Sequence, residues 1–339
     1  MQFDSASFPR VGSRGGKASD LPGSAGRPNA MPSFEVVQEP IPLPRGAFAK
    51  ARRLLVRWRG RWITALNQGP FRAYLYPLYT PAGVAVTTDG PVDHPHHRSV
   101  WIGADHVYCR LPYAAEAFEE ATYNFYVGET FQGRAPGRIF GVDVKSEELA
   151  ADHLRIAQTL EWQGPEEWGA QPRRTIAIET RTLDIQTGRD AHLLDIHSQL
   201  RPTEWDFTIG PTRHAYLGIR LAEGLRVIDG GTVVDADGRT DSEAINGRRS
   251  DWVAVSGSVP SGRLAGVAVF PHSSAAGHPW HVSEYGTLNV NPFGEERAVV
   301  NQGGGLEVAV RLVVFDGDVA DARIAEHFDR FQQGHDQAS

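Results

Sequence analysis

Cysteine is all but missing from this chain: among 339 residues only Cys109 occurs. One thiol can neither form an internal disulfide nor build a Cys-rich zinc site, and such usage fits a reducing cytoplasm. Cys109 has no motif around it and reads as buried and inert. Long apolar runs are missing too. No segment approaches the ~18 apolar residues that span a bilayer, so no membrane partner is expected. No stretch combines dense Lys and Arg with interleaved aromatics, and the net charge is −7, which argues against nucleic acid as a partner.

Several signatures are absent as well. There is no nucleophile elbow, no Walker loop or dinucleotide fingerprint, and no His-Glu-Xaa-Xaa-His, so no nucleotide cofactor is expected. Gly303-Gly304-Gly305 reads as a hairpin turn. No internal repeat is found.

What is present is punctuation. The 36 Gly and 22 Pro residues separate short apolar or alternating segments, the pattern of an all-β protein. Strands are expected at 54–58, 61–67, 73–79, 137–146, 153–162, 174–185, 191–201 and 207–209. Further strands are expected at 214–221, 225–229, 252–257, 264–271, 280–282, 287–291 and 306–315. In 174–185, Ile176 and Ile178 alternate with Ala177 and Glu179, which gives a segment two distinct faces. One helix is expected over 319–332, where Ile324, Phe328 and Phe331 recur at helical spacing. With so little helix between strands, two large antiparallel sheets packed as a sandwich with a C-terminal helix fit best. Residues 1–33, rich in Gly, Ser, Ala, Arg and Pro and without an apolar h-region, read as a disordered leader rather than a secretory signal. Residues 34–333 read as one catalytic domain.

The densest chemistry lies in Asp93-His94-Pro95-His96-His97-Arg98-Ser99-Val100-Trp101. Imidazole binds metals and moves protons near neutral pH. Pro95 blocks a central ladder strand, so the run is a loop or strand entry at a sheet end. His94 and His96 are the candidate ligands of a divalent metal; Asp93 can orient an imidazole, and Arg98 can stabilise an oxyanion. Asp105-His106 reads as an acid/base dyad. A second group, around His281, Tyr285 and Asn291, combines rings for stacking with polar groups for hydroxyls. A third is the alternating segment 214–220, whose His214, Tyr216 and Arg220 would share one face. Glu179 and Arg181 line a neighbouring strand or form an ion pair; both readings stand.

Taken together, Tyr76-Pro77-Leu78, Asp89-Gly90, the 93–101 run and Trp280-His281 resemble a family of uncharacterised bacterial domains known as the PmoA family, also labelled methane oxygenase. Asn246–Val253, Gly266-Val267-Ala268, Phe270-Pro271-His272 and Asn291-Pro292-Phe293-Gly294 extend the resemblance over about residues 50–315. Thr212-Arg213-His214-Ala215 departs from it, standing where a more Gly-rich segment is expected. The resemblance implies carbohydrate catabolism rather than methane oxidation. It also implies a galactose-mutarotase-like supersandwich, whose concave sheet holds a sugar while His and carboxylate groups move protons.

The expected function is therefore general acid–base chemistry, metal-assisted or not, in a lyase or hydrolase acting on a sugar or keto-sugar glycoside. His94, His97, His214 and His281 are expected to do the proton work, with Arg98 at the oxyanion. Trp101, His106, Tyr285, Asn291 and Arg220 are expected to bind the substrate, with the protein acting alone or as a homo-oligomer. Two alternatives are a non-catalytic carbohydrate-binding protein and a metal-dependent oxygenase with Asp93 or Asp105 as its carboxylate ligand.

Overall fold

The computed structural model describes residues 32–39, 52–114, 117–165 and 173–336. The expected leader lies outside the described residues except for its last two positions. Three antiparallel sheets make up the described fold. The first has eight strands in the spatial order Phe34–Glu39, Arg52–Trp58, Arg61–Gln68, Ala73–Leu75, Val100–Ala104, Ala215–Arg220, Thr287–Val290, His281–Val282. The second also has eight: Thr232–Asp235, Val253–Ser258, Leu264–Pro271, Leu306–Asp316, Ala191–Pro202, Thr175–Thr187, His153–Gln163, Arg138–Ala150. A smaller sheet of four joins Ala298–Val300, Phe207–Ile209, Val107–Ala114 and Ala117–Tyr123.

Period-2 alternation explains the layering. Strand His153–Gln163 alternates half-exposed and buried residues, and Leu154, Ile156, Leu160 and Trp162 enter one large core. That core is shared with Val100, Ile102, Leu217 and Ile219 of the first sheet and with Cys109, Leu111 and Phe207 of the smallest. It therefore lies between the sheets. Burial pushes the Cys109 thiol up to about 12, so it stays protonated and unreactive, as expected. The second sheet buries its outer face too: Ala254, Ala268, Phe270, Val313 and Phe315 pack under Ile324 and Phe331 of the helix Ile324–Asp336. No helix among the described residues is long and apolar enough to cross a membrane.

Some elements differ from the sequence-based expectation. Strand 73–79 ends at Leu75, because Pro77 has no N–H to give a ladder. Residues 225–229 form no strand. Asp229 accepts from Arg226 Nε at 2.5 Å and from the Gly224 amide at 3.0 Å, winding Val227–Asp229 into a 3-10 turn. The C-terminal helix begins at Ile324 rather than 319, after turns in which Asp318 accepts from the Asp321 and Ala322 amides and Arg323 takes a positive φ. The hairpin of Val107–Ala114 and Ala117–Tyr123 was not expected, although Val107, Cys109 and Leu111 alternate with polar or exposed neighbours.

Candidate active site

Strand Val100–Ala104 turns Val100, Ile102 and Ala104 toward the core, so Trp101 stands on the opposite face of the first sheet. There it joins Tyr74, Tyr126 and Val127 in a small aromatic cluster. Gly218 on the paired strand leaves room for the indole; a Cβ there would come within 2.3 Å of Trp101. Only 1% of Trp101 is exposed, so it is the base beneath the site and offers no ring face to a sugar. This corrects its expected role in substrate binding.

The histidine run enters that strand through consecutive turns, as Pro95 led us to expect. The His94 amide donates to the Pro91 carbonyl at 3.1 Å, the His97 amide to the His94 carbonyl at 2.9 Å, and the Gly90 amide to the His97 carbonyl at 3.0 Å. This coiling stacks three imidazoles. His94 lies between His97 and Tyr285, both at 4.6 Å and nearly parallel, and His97 lies on Trp101 at 5.1 Å. His96 meets His97 edge-on at 4.6 Å.

The three have different tasks. His97 is 3% exposed, with Nδ1 facing Arg220 Nη1 at 3.4 Å and Thr287 Oγ1 at 3.3 Å, and Nε2 facing the Tyr126 hydroxyl at 3.3 Å. Because arginine only donates, Nδ1 accepts and the ring proton sits on Nε2. Sealed at 3% exposure with buried groups on both nitrogens, His97 positions its neighbours, where the sequence suggested a catalytic base. His94 donates through Nδ1 to Asp93 at 2.8 Å, and Asp93 is held by both oxygens on Arg220 Nη2 at 2.8 and 2.6 Å. Arg220 is fully buried behind this clamp, so it orients Asp93 and His97 rather than binding substrate. Burial opposes ionisation of Asp93, but the hydrogen bonds from His94 and Arg220 prevail and hold it well below the usual carboxylate range. His96 has no hydrogen-bond partner among the described residues.

Burial, then the charge of Arg72, lowers His96 to about 4; burial and the neighbouring imidazoles lower His97 to about 2. Both stay neutral in the folded protein while the unfolded chain takes up protons below its ordinary 6.5. Their contribution to stability is therefore complete above pH 6.5 and is lost as pH falls toward and through these folded values. His97 alone is expected to remove about 1.4 kcal/mol per pH unit below 6.5. Thermal melts should show a level Tm from pH 7.5 to 6.5 and a falling one from there to 4.5; no fall below 6.5 would contradict the burial of these rings.

Across Tyr126 from His96 stands a carboxylate–imidazole pair. Asp105, nearly fully buried, accepts from His214 Nδ1 at 3.1 Å, from Arg134 Nη2 at 2.8 Å and from the Thr212 hydroxyl. Burial pushes the Asp105 carboxyl up, but those hydrogen bonds and the Arg134 charge outweigh it and keep it ionised. His214 Nε2 accepts from Nε of the exposed Arg213 at 3.2 Å, a partner that solvent or a ligand can replace, and the ring lies 5.2 Å from both Tyr126 and Phe131. His96 lies 5.6 Å from the same Tyr126 ring. His281 belongs to this side as well, lowered by burial and then by the charges of Arg213 and His214.

The expected dyad Asp105-His106 does not form. At the bend between strands Val100–Ala104 and Val107–Ala114, Asp105 turns to His214, Arg134 and Thr212, and His106 to the Pro211 carbonyl at 3.0 Å. Asn291 also leaves the substrate-binding set: its amide donates to the Thr212 carbonyl at 2.7 Å and accepts from the Phe293 amide at 3.0 Å, tying down the His214 loop. Two positions earlier, buried Asn289 keeps an Oδ1 without a partner. Tyr216 faces the core, its hydroxyl 2.9 Å from Ser198. Arg98 donates to Asp89 Oδ1 at 3.0 Å and lies over Tyr74 at 5.4 Å.

His94 and His96, the expected ligands of a divalent metal, lie side by side in the turn. Their rings are 5.8 Å apart and near-perpendicular, and His94 Nδ1 is engaged by Asp93. Of the expected oxygenase carboxylates, Asp93 is hydrogen-bonded by Arg220 and His94, and Asp105 by Arg134, Thr212 and His214. Among the described residues no group of three or more His, Cys, Asp or Glu side chains is arranged to hold a metal ion.

The sequence profile of DUF6807, a family of unknown function, matches residues 53–329. The chain belongs to that family. The match gives no support to the PmoA label. No curated protein matches this DUF6807 chain. Among solved structures, a galactose mutarotase related enzyme from Lactobacillus acidophilus is 7% identical at a TM-score of 0.33, covering 74% of this chain and 94% of that one. The Slr1438 protein from Synechocystis sp. PCC 6803 is 13% identical at 0.33, covering 88% and 100%. These likenesses are too remote to carry anything about chemistry.

Proposed function

We propose that this DUF6807 protein is a carbohydrate-active enzyme that moves protons by general acid–base catalysis, with a keto-sugar glycoside as substrate and elimination as the reaction. One observation supports this best: the half-buried His214, backed by the buried Asp105, and the neutral, uncommitted His96 both pack on the Tyr126 ring. A carboxylate behind an imidazole fixes its tautomer and stabilises the imidazolium that forms when it takes a proton. Tyr285, half-exposed against His94, and Asn289 Oδ1 supply a ring face and an acceptor of the kind a sugar needs.

In this reading His214 removes the proton from the carbon beside the keto group. The C–H electron pair forms a C=C bond and the carbonyl becomes an enolate, which Arg98 stabilises with the N–H groups that Asp89 leaves free. The enolate then re-forms C=O, its C=C pair moves to form a double bond to the carbon bearing the glycosidic oxygen, and that C–O bond breaks, its electron pair leaving on the oxygen, which takes its proton from the His214 imidazolium. His96, neutral at the working pH, hydrogen-bonds the sugar hydroxyls. No step is routed through a metal, and the reading takes residues 34–333 as one domain.

The test is incubation of the purified protein with methyl 3-keto-β-D-glucopyranoside in D2O. Deuterium exchange beside the ketone and release of methanol are the expected results. Binding without either would replace the enzyme with a carbohydrate-binding protein.

A further inference from the structure

Arg72 is out of balance with its surroundings. It precedes strand Ala73–Leu75 and is only 4% exposed, yet no side chain or backbone acceptor among the described residues bonds its guanidinium, and Nη1 is buried without a partner. The other buried or half-buried arginines of this site each have a carboxylate: Arg98 has Asp89, Arg134 has Asp105 and Arg220 has Asp93. Arg72 has only the face of Tyr126, 5.8 Å from its Cζ. That is the same ring flanked by His96 and His214, and the Arg72 charge acts on His96. An unpaired buried cation is costly, and apolar residues of similar volume are usually as good or better for stability. A position that keeps one against the Tyr126 ring of the candidate site is set up for an anion that arrives with the ligand.

We propose that Arg72 is the anchor of an oxyanion subsite in the candidate active site, and that the oxyanion is a carboxylate carried by the sugar, as in a uronate or aldonate. The inference rests on the sugar reading of the site for its substrate class, but not for the anion. Charge favours a carboxylate over a phosphate: one guanidinium is left unneutralised, which matches a carboxylate's single charge, whereas a phosphate monoester carries nearly two. Geometry agrees, since a planar guanidinium presents paired N–H groups at carboxylate spacing. Burial already lowers Arg72 to about 10, and an anion beside it relieves that penalty.

Calorimetric titration of the full chain with methyl β-D-glucuronide, methyl β-D-glucoside, glucose 6-phosphate and glycolate tests this. The glucuronide is expected to bind about ten- to a hundredfold more tightly than the glucoside, the span of a charge-assisted hydrogen bond. Arg72→Met should erase that preference while its Tm stays level or rises, and Arg72→Lys should restore part of it. Equal affinity of the two glycosides for the wild-type protein overturns the subsite and leaves the sugar reading intact. Tighter, Arg72-dependent binding of glucose 6-phosphate overturns the carboxylate assignment. Glycolate binding that depends on Arg72, with neither glycoside bound, keeps the subsite and overturns the sugar reading. A marked fall in Tm for Arg72→Met makes the residue a structural strut and overturns the proposal.

Discussion

Asp105→Asn is expected to lower kcat/KM on a keto-glycoside by about 10³-fold while substrate affinity changes little, the range typical of a lost general acid–base function. The amide keeps the shape and much of the hydrogen bonding, so Thr212 and Arg134 hold the loop near its native position. What disappears is the negative charge behind His214 and the certainty that Nδ1 carries the proton. His214→Ala should lose a comparable amount, and the double variant little more, because the two act as a unit. His106→Ala discriminates between pairing by sequence neighbourhood and pairing by fold: its ring meets the Pro211 carbonyl, so its loss should be far smaller. Steady-state kinetics on the three single variants and the double variant decide the point. Wild-type kcat/KM in Asp105→Asn would remove the pair from the chemistry.

Glu179→Leu should produce the largest loss of stability, roughly 3–5 kcal/mol by urea unfolding, because it strands a buried cation. Glu179 is 0% exposed between the sheets. It accepts from Arg181 Nε at 2.7 Å and Nη2 at 2.9 Å, from Trp162 Nε1 at 2.9 Å and from Ser198 Oγ at 2.8 Å. Removing it leaves Arg181 without its counter-charge and Trp162 and Ser198 without their acceptor. The double variant Glu179→Leu/Arg181→Met should regain much of the loss, since an apolar pair of similar volume suits this interior. If the double variant is as unstable as the single one, the hydrogen bonds to Trp162 and Ser198 outweigh the charge pair. No loss in Glu179→Leu would contradict the burial itself.

These two carboxylates show how far the linear chain can be read. Glu179 and Arg181 alternate with Ile178, Thr180 and Thr182 and so share a face, but period 2 does not say whether that face meets a ligand or another sheet. The second sheet turns them inward, and an ion pair results. Asp105 raised the reverse problem. It was legible as a reactive carboxylate, yet its partner lies 109 positions on, at His214, across an antiparallel pairing of Val100–Ala104 with Ala215–Arg220. Arg72 drew no notice at all: a lone arginine after Phe71 has no motif, and only burial without an acceptor distinguishes it.

Read by itself, the chain determined the all-β sandwich, the C-terminal helix and the concentration of imidazoles at a strand entry. Those follow from local rules: side-chain period, Pro and Gly punctuation, and residue chemistry. It also determined that Cys109 would be inert, since a solitary thiol in an apolar alternation is a core residue. Only the tertiary structure decided which imidazoles are free. Three neighbours in sequence became a buried hub at His97, a clamped ring at His94 and an uncommitted one at His96, because stacking, burial and the partners at Arg220, Thr287 and Tyr126 come from distant strands. Protonation and access depend on those neighbours in space, and the order of residues along a chain does not specify them.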